Sequence, residues 1–204
     1  MYIRTVLILF ISLVLCFGCN PNSKQKLNSI DAPKKTIAKV ETSIISDAFK
    51  YCSKNRLDTQ IVMLVNLSSH SGNYRFFVVK FSSKDTLLRG LVTHGHCQQY
   101  EGRTANFSNT IGSNCSSEGK YKIGKKYTGT FGTAYKLHGL DSTNCYAFDR
   151  FVVLHSHSCV PDQEQEDDIC LSEGCPTVSP TFLKKLEPIL DEAEKPLLLW
   201  VYKD

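Results

Sequence analysis

The chain has 204 residues, 42% of them hydrophobic, which suits one globular domain with its own core plus a short leader. Its formal charge of +4 comes without a concentrated basic run, which argues against a nucleic-acid partner.

Residues 1–19 read as an export signal. Arg4 supplies the positive start, and the twelve-residue apolar region of 6–17 is too short to span a bilayer. The stretch ends in Cys16-Phe17-Gly18-Cys19, which is similar to a lipobox and would make Cys19 the lipid-bearing first residue of a bacterial lipoprotein. Ordinary signal cleavage nearby is the alternative, because Cys16 and Phe17 suit the box poorly. Both routes place the protein in the cell envelope, on the periplasmic side, and the first would hold it to a membrane through a lipid anchor without spanning it.

Residues 20–42 are polar and lysine-rich without periodicity, as expected of a flexible tether; the domain is expected over 43–204. A solvated linker is the plain reading of its lysines, with attraction to anionic lipid or wall polymer as the other. Residues 43–56 carry Ile44, Ile45, Ala48, Phe49 and Cys52 at helical spacing, with Ser43 as N-cap. Strands are expected at 60–67 and 74–81, joined as a hairpin through His70-Ser71-Gly72-Asn73, and at 86–93. A polar loop follows over 98–115. Further strands are expected at 118–123, 129–137, 146–155 and 196–202, and a second amphipathic helix disturbed by Pro188 at 180–191. Gly129 and Gly132 inside strand-like runs suggest bulges or close backbone approach. The sum is a mainly β domain with two peripheral helices.

The chemistry concentrates in residues 151–176. The apolar run of 151–154 reads as a buried strand delivering His155 to its end, and Ser172-Glu173-Gly174-Cys175 follows in a tight polar turn. A strand-end imidazole can take a thiol proton, and the small residue before the cysteine lets a carbonyl approach backbone N–H groups. Together these resemble the signature of the murein L,D-transpeptidase catalytic domain family (YkuD-like L,D-transpeptidases), a histidine followed after a spacer by Ser/Thr-His-Gly-Cys. Here the spacer is sixteen residues and the turn continues Gly174-Cys175-Pro176. Val65-Asn66-Leu67, Arg75-Phe76-Phe77, His94-Gly95, Ser117-Glu118-Gly119 and Gly139-Leu140-Asp141 fit the same family in order.

The resemblance implies a mixed β-sandwich with an N-terminal helix and a C-terminal helix plus strand. It also implies Cys175 as nucleophile and His155 as base and acid, acting on peptidoglycan stem peptides. Ser156 would orient the imidazole through its carbonyl, Ser172 would shape the turn, and Gly174 and Cys175 would offer N–H groups to an oxyanion. Glu173 stands where many members have histidine, which leaves donor contacts open. His94 and His138 would line the substrate groove or be structural. D-Alanine would leave and an amine of another stem would resolve the thioester into a third-to-third crosslink; water as acceptor would make the protein an L,D-carboxypeptidase. A catalytically silent wall-binding lipoprotein is the alternative outside the enzyme class. A monomer is expected, and no cofactor.

With Cys16 removed, Cys19 lipidated and Cys175 free, Cys52, Cys97, Cys115, Cys145, Cys159 and Cys170 remain, an even number that can pair in fifteen ways. A Cys159–Cys170 bridge would shorten the loop between the catalytic pair. The acidic residues of that loop, Asp162, Glu164, Glu166, Asp167 and Asp168, read as a solvated segment or, if it overhangs the groove, as an attractor of amines. A zinc site built from His94, His96, Cys97, His155, His157 and Cys159 is the rival chemistry, although the spacing matches no familiar zinc signature.

Overall fold

The structure, a computed structural model, describes residues 40–99 and 104–203; the leader, Cys19 and residues 20–39 of the tether lie outside the described residues. The elements run α1 (Thr42–Asn55), β1 (Ile61–Asn66), β2 (Phe76–Lys80), β3 (Thr86–Gly90), β4 (Gly119–Gly129), β5 (Gly132–Gly139), β6 (Val153–Ser156), β7 (Thr177–Val178), α2 (Pro180–Asp191) and β8 (Leu198–Tyr202). The expected mainly β domain with two helices is present. Its strands form one eight-stranded sheet in the order β3-β2-β1-β8-β4-β5-β6-β7. The β1/β8 and β6/β7 pairs are parallel and the others antiparallel.

The central strands are apolar on both faces because each face is covered. In β1, Val62 and Leu64 pack with Ile45, Ala48 and Cys52 of α1, while Met63 and Val65 pack with Phe182, Leu183 and Leu186 of α2. Strand β8 repeats the alternation: Leu198 and Tyr202 turn toward α1, Leu199 and Val201 toward α2. Two covered faces produce continuous hydrophobic runs rather than an apolar–polar alternation. Each such side chain contributes about 1.5–3 kcal/mol on burial.

Several boundaries differ from expectation for local reasons. Val40 is buried with the α1 cluster, so the packed domain begins before residue 43. The N-cap of α1 is Glu41, which makes no side-chain capping bond, and Ser43 lies inside the helix. Helix α2 runs through Pro188 to Asp191, capped by Ser179, whose hydroxyl accepts from the Phe182 N–H. Gly129 pairs with Gly132, so the glycines flank a two-residue hairpin loop with Phe131 at its tip. The β4–β5 irregularity lies instead between Ile123 and Lys126, where a Cβ on Gly124 would stand 2.6 Å from His138 Nε2. The strand expected at 146–155 is reduced to β6. Asn144 pins the preceding segment as a turn, its amide donating to the Lys120 carbonyl and accepting from the Asp141 N–H. Phe151, expected in the strand, has φ 57° and is 75% exposed.

Two disulfides form, Cys97–Cys115 and Cys159–Cys170, the second as anticipated. The six cysteines do not make three bridges. Cys52 is a buried thiol on the α1 face, pushed up to about 12 by burial, and Cys145 is an exposed thiol.

Candidate active site

Segment 171–178 is fixed from two sides. Strand β7 pairs with β6, bringing Thr177 opposite His155. On the other side Ser172 N–H donates to the His94 carbonyl, His96 N–H to the Ser172 carbonyl, and Thr93 N–H to the Thr177 carbonyl. Cys175 sits in the middle. Its carbonyl accepts from the hydroxyls of Ser172 (2.7 Å) and Thr93 (3.2 Å), with Thr177 Oγ1 3.4 Å away. Two hydroxyls on one carbonyl hold the backbone that carries the thiol.

Gly174 has φ 110°, a region closed to residues with a Cβ, and a Cβ there would stand 2.7 Å from the Cys115 carbonyl oxygen. That carbonyl is itself held by Arg150 Nη2 at 2.6 Å, and its residue is bridged to Cys97. The Gly174 N–H donates to Ser172 Oγ at 3.2 Å rather than opening into the cleft.

Cys175 is a free, half-buried thiol. Its sulfur accepts from the Val153 N–H at 3.5 Å and donates toward the Phe151 carbonyl at 3.8 Å. Burial pushes this thiol above its ordinary 9.0, opposed by the Val153 N–H and by the positive charge of Arg150. His155 is 8% exposed, and burial lowers its imidazole below 6.5. Both groups therefore rest neutral at neutral pH.

The tautomer of His155 sets it apart. Nδ1 lies 3.1 Å from the Ser156 carbonyl, which can only accept, so Nδ1 carries the proton and Nε2 is the basic nitrogen. Nε2 accepts from Thr177 Oγ1 at 3.0 Å. In His70, His96 and His157, Nδ1 instead accepts the N–H two residues on, which leaves Nε2 protonated in the neutral ring. His94 Nδ1 likewise accepts, from Arg75 Nη2 at 2.9 Å.

His155 and Cys175 line a cleft of about 230 Å³ together with Ser172, Glu173, Thr93, Phe131, His157, Cys159, Leu171 and Thr177. Phe131 covers the imidazole, its ring stacked 5.1 Å from that of His155 and edge-on to His157 at 5.4 Å. The sequence reading missed Phe131, Thr93, Thr177 and Arg150. For Phe131 a signal existed, since an aromatic between glycines at a hairpin tip has nothing of its own to pack on. Thr93 and Arg150 carry no such local signal.

Neither His94 nor His138 lines this cleft. His94 is 2% exposed beside the buried Arg75, and His138 stacks on Phe148 at 5.0 Å. The acidic loop keeps Glu166 and Asp167 exposed as expected, but three of its acids are held by the fold, and none lines the cleft. Asp162 accepts from Ser179 Oγ, Glu164 from the Tyr74 N–H, and Asp168 from His70 and Ser71. Beneath it Val160 and Ile169 pack against Leu91. The zinc reading required thiolates at Cys97 and Cys159, which are bridged, and among the described residues no group of three His, Cys, Asp or Glu could hold a metal ion.

Comparison with known proteins bears on this arrangement. A family model described as the L,D-transpeptidase catalytic domain matches residues 34–202. No curated protein matches the chain. Among solved structures, the chain is similar to an L,D-transpeptidase from Xylanimonas cellulosilytica, with 15% identity, TM-score 0.40, and 70% of this chain and 60% of that one covered. It is also similar to the helical cell shape determining protein Pgp2 from Campylobacter jejuni, with 11% identity, TM-score 0.46, and 71% and 48% covered. A third is the LD transpeptidase LdtMt1 in complex with imipenem, with 13% identity, TM-score 0.42, and 70% and 59% covered. The chain thus spans about half to three-fifths of the length of these proteins. The family match takes in every strand and both helices described above: the chain belongs to the L,D-transpeptidase catalytic domain family.

Proposed function

We propose that the protein is a cysteine acyltransferase that cleaves an L–D peptide bond in peptidoglycan stem peptides through a thioester on Cys175 and passes the acyl group to an amine. The observation that carries this is a free thiol in the same cleft as an imidazole whose basic nitrogen is Nε2. In the resting state the two are not hydrogen-bonded to each other, since the thiol faces the Phe151 carbonyl and Nε2 is taken by Thr177. Activation then needs a rotation of the Cys175 side chain toward Nε2, with the Thr177 hydroxyl turning from Nε2 to the Cys175 carbonyl 3.4 Å away.

His155 takes the thiol proton as sulfur attacks, and returns it to the departing D-alanine amine. The incoming amine attacks the thioester, the C–N bond forms as the C–S bond breaks, and sulfur is reprotonated. The Ser156 carbonyl keeps Nδ1 protonated throughout and steadies the imidazolium. With the Gly174 N–H committed to Ser172, the oxyanion donor in this scheme is the Cys175 N–H. Ser172 and Gly174 serve as the frame of the turn.

The two disulfides support an exported location, because such bridges persist in oxidising compartments. Lipidation at Cys19 and action as a monomer on the periplasmic side complete the proposal. Incubation with a disaccharide-tetrapeptide, followed by mass analysis, tests it. Crosslinked dimers are expected. Tripeptide alone would mean that water is the acceptor, and unchanged substrate would leave a wall-binding role.

A further inference from the structure

Glu173 is the one carboxylate lining the cleft, and no lysine or arginine lines it among the described residues. Its side chain is 73% exposed, yet one oxygen is fixed: Oε2 lies 3.0 Å from Nε2 of His96, a residue 6% exposed. The support is rigid. His96 Nδ1 accepts from the Gln98 N–H at 3.0 Å, its own N–H donates to the Ser172 carbonyl, and the next residue is bridged to Cys115. Arg150, whose charge also reaches the Cys175 thiol, does not line the cleft and is turned to the Ser108 and Cys115 carbonyls. A neutral thiol and a neutral imidazole thus share their cleft with one anchored negative charge.

The carboxylate favours a cation beside it, and the reactant that arrives as one is the acceptor amine. Resting on the proposed function, we infer that the Glu173 carboxylate is the acceptor subsite, holding the protonated side-chain amine of the acceptor stem beside the Cys175 thioester. An ammonium cannot attack, so it first gives a proton to His155 Nε2. The amine then forms the C–N bond as the C–S bond breaks, a second proton leaves nitrogen, sulfur is reprotonated, and one proton is released to solvent. The carboxylate binds the charged form and does not act as the base, so it sets the choice between amine and water.

The test uses a tetrapeptide donor and a stem tripeptide acceptor bearing a free side-chain amine, which can accept but not donate. In Glu173→Gln the ratio of transfer to hydrolysis should fall roughly tenfold, the scale of one charge-assisted hydrogen bond. Acceptor KM should rise, and its salt dependence in the wild type should flatten in the variant. Methoxyamine, uncharged at neutral pH, should lose nothing. A partition ratio within twofold of wild type overturns the inference, as does an equal loss with methoxyamine. A defect confined to donor acylation also overturns it, assigning the carboxylate to the donor strand. Failure of the wild type itself to acylate would bring down the proposed function, a result separate from all of these.

Discussion

Gly174→Ala should be among the most damaging single-methyl changes available to the fold, and the structure gives the size of the damage. At φ 110° an L-residue is strained by about 1–2 kcal/mol or more. The new Cβ would also stand 2.7 Å from the Cys115 carbonyl oxygen, which cannot give way, since Arg150 and the Cys97 bridge hold it. Overpacking of that kind adds about 1–3 kcal/mol. Gly112 provides the control: its φ is 77°, but nothing lies within 4 Å of a Cβ there, so Gly112→Ala isolates the backbone term. Urea unfolding of both variants, with alkylation rates at Cys175, separates the two contributions. Gly174→Ala should lose about 1–3 kcal/mol more than Gly112→Ala and change the alkylation rate of Cys175, which Gly112→Ala should leave alone. Equal losses in the two variants would refute the claim that the turn carrying Cys175 is pressed against the 115 loop.

Other consequences follow from the same geometry. With His155 as the proposed base, and burial holding its imidazole below 6.5, kcat/KM should stay full at neutral pH and fall only as pH drops through a value under 6.5. Phe131→Ala uncovers the ring, reduces the desolvation, and should move that acid limb upward toward 6.5; a pH–rate profile of both proteins reads this directly. Ser179→Ala removes the cap of α2 and should cost about 1 kcal/mol in thermal or denaturant unfolding. Arg75→Ala should cost about 3–5 kcal/mol, visible as a large Tm loss, because it strips the buried partner from His94, Val92 and Ser69.

The parts of this molecule that could be read from sequence are those whose signal is local. The β1, β2 and β8 runs announce themselves as strands because both faces are covered, and α2 because its apolar spacing starts at a Ser-Pro boundary. The 155–175 motif is local as well. What sequence could not supply are contacts between distant segments. The acids of 162–168 look like a solvated loop in one dimension, but Asp162, Glu164 and Asp168 have partners, Ser179, Tyr74 and His70, that come from elsewhere in the chain. His94 next to a glycine resembles a groove residue until Arg75, nineteen positions earlier, is seen donating to it. The turn before β6 leaves no apolar signature, because it is set by Asn144 donating to the Lys120 carbonyl on β4.

The central claim concerns one thiol, and the chain offers a built-in comparison in Cys145, which is also free and far more exposed. Exposing the protein to a tetrapeptide donor, quenching in acid and mapping the acylated peptide by mass tests the claim most directly. The account predicts a thioester on Cys175 that disappears in His155→Ala while Cys145 stays unmodified. An acyl group on Cys145, or one on Cys175 that forms as fast without the imidazole, would contradict it.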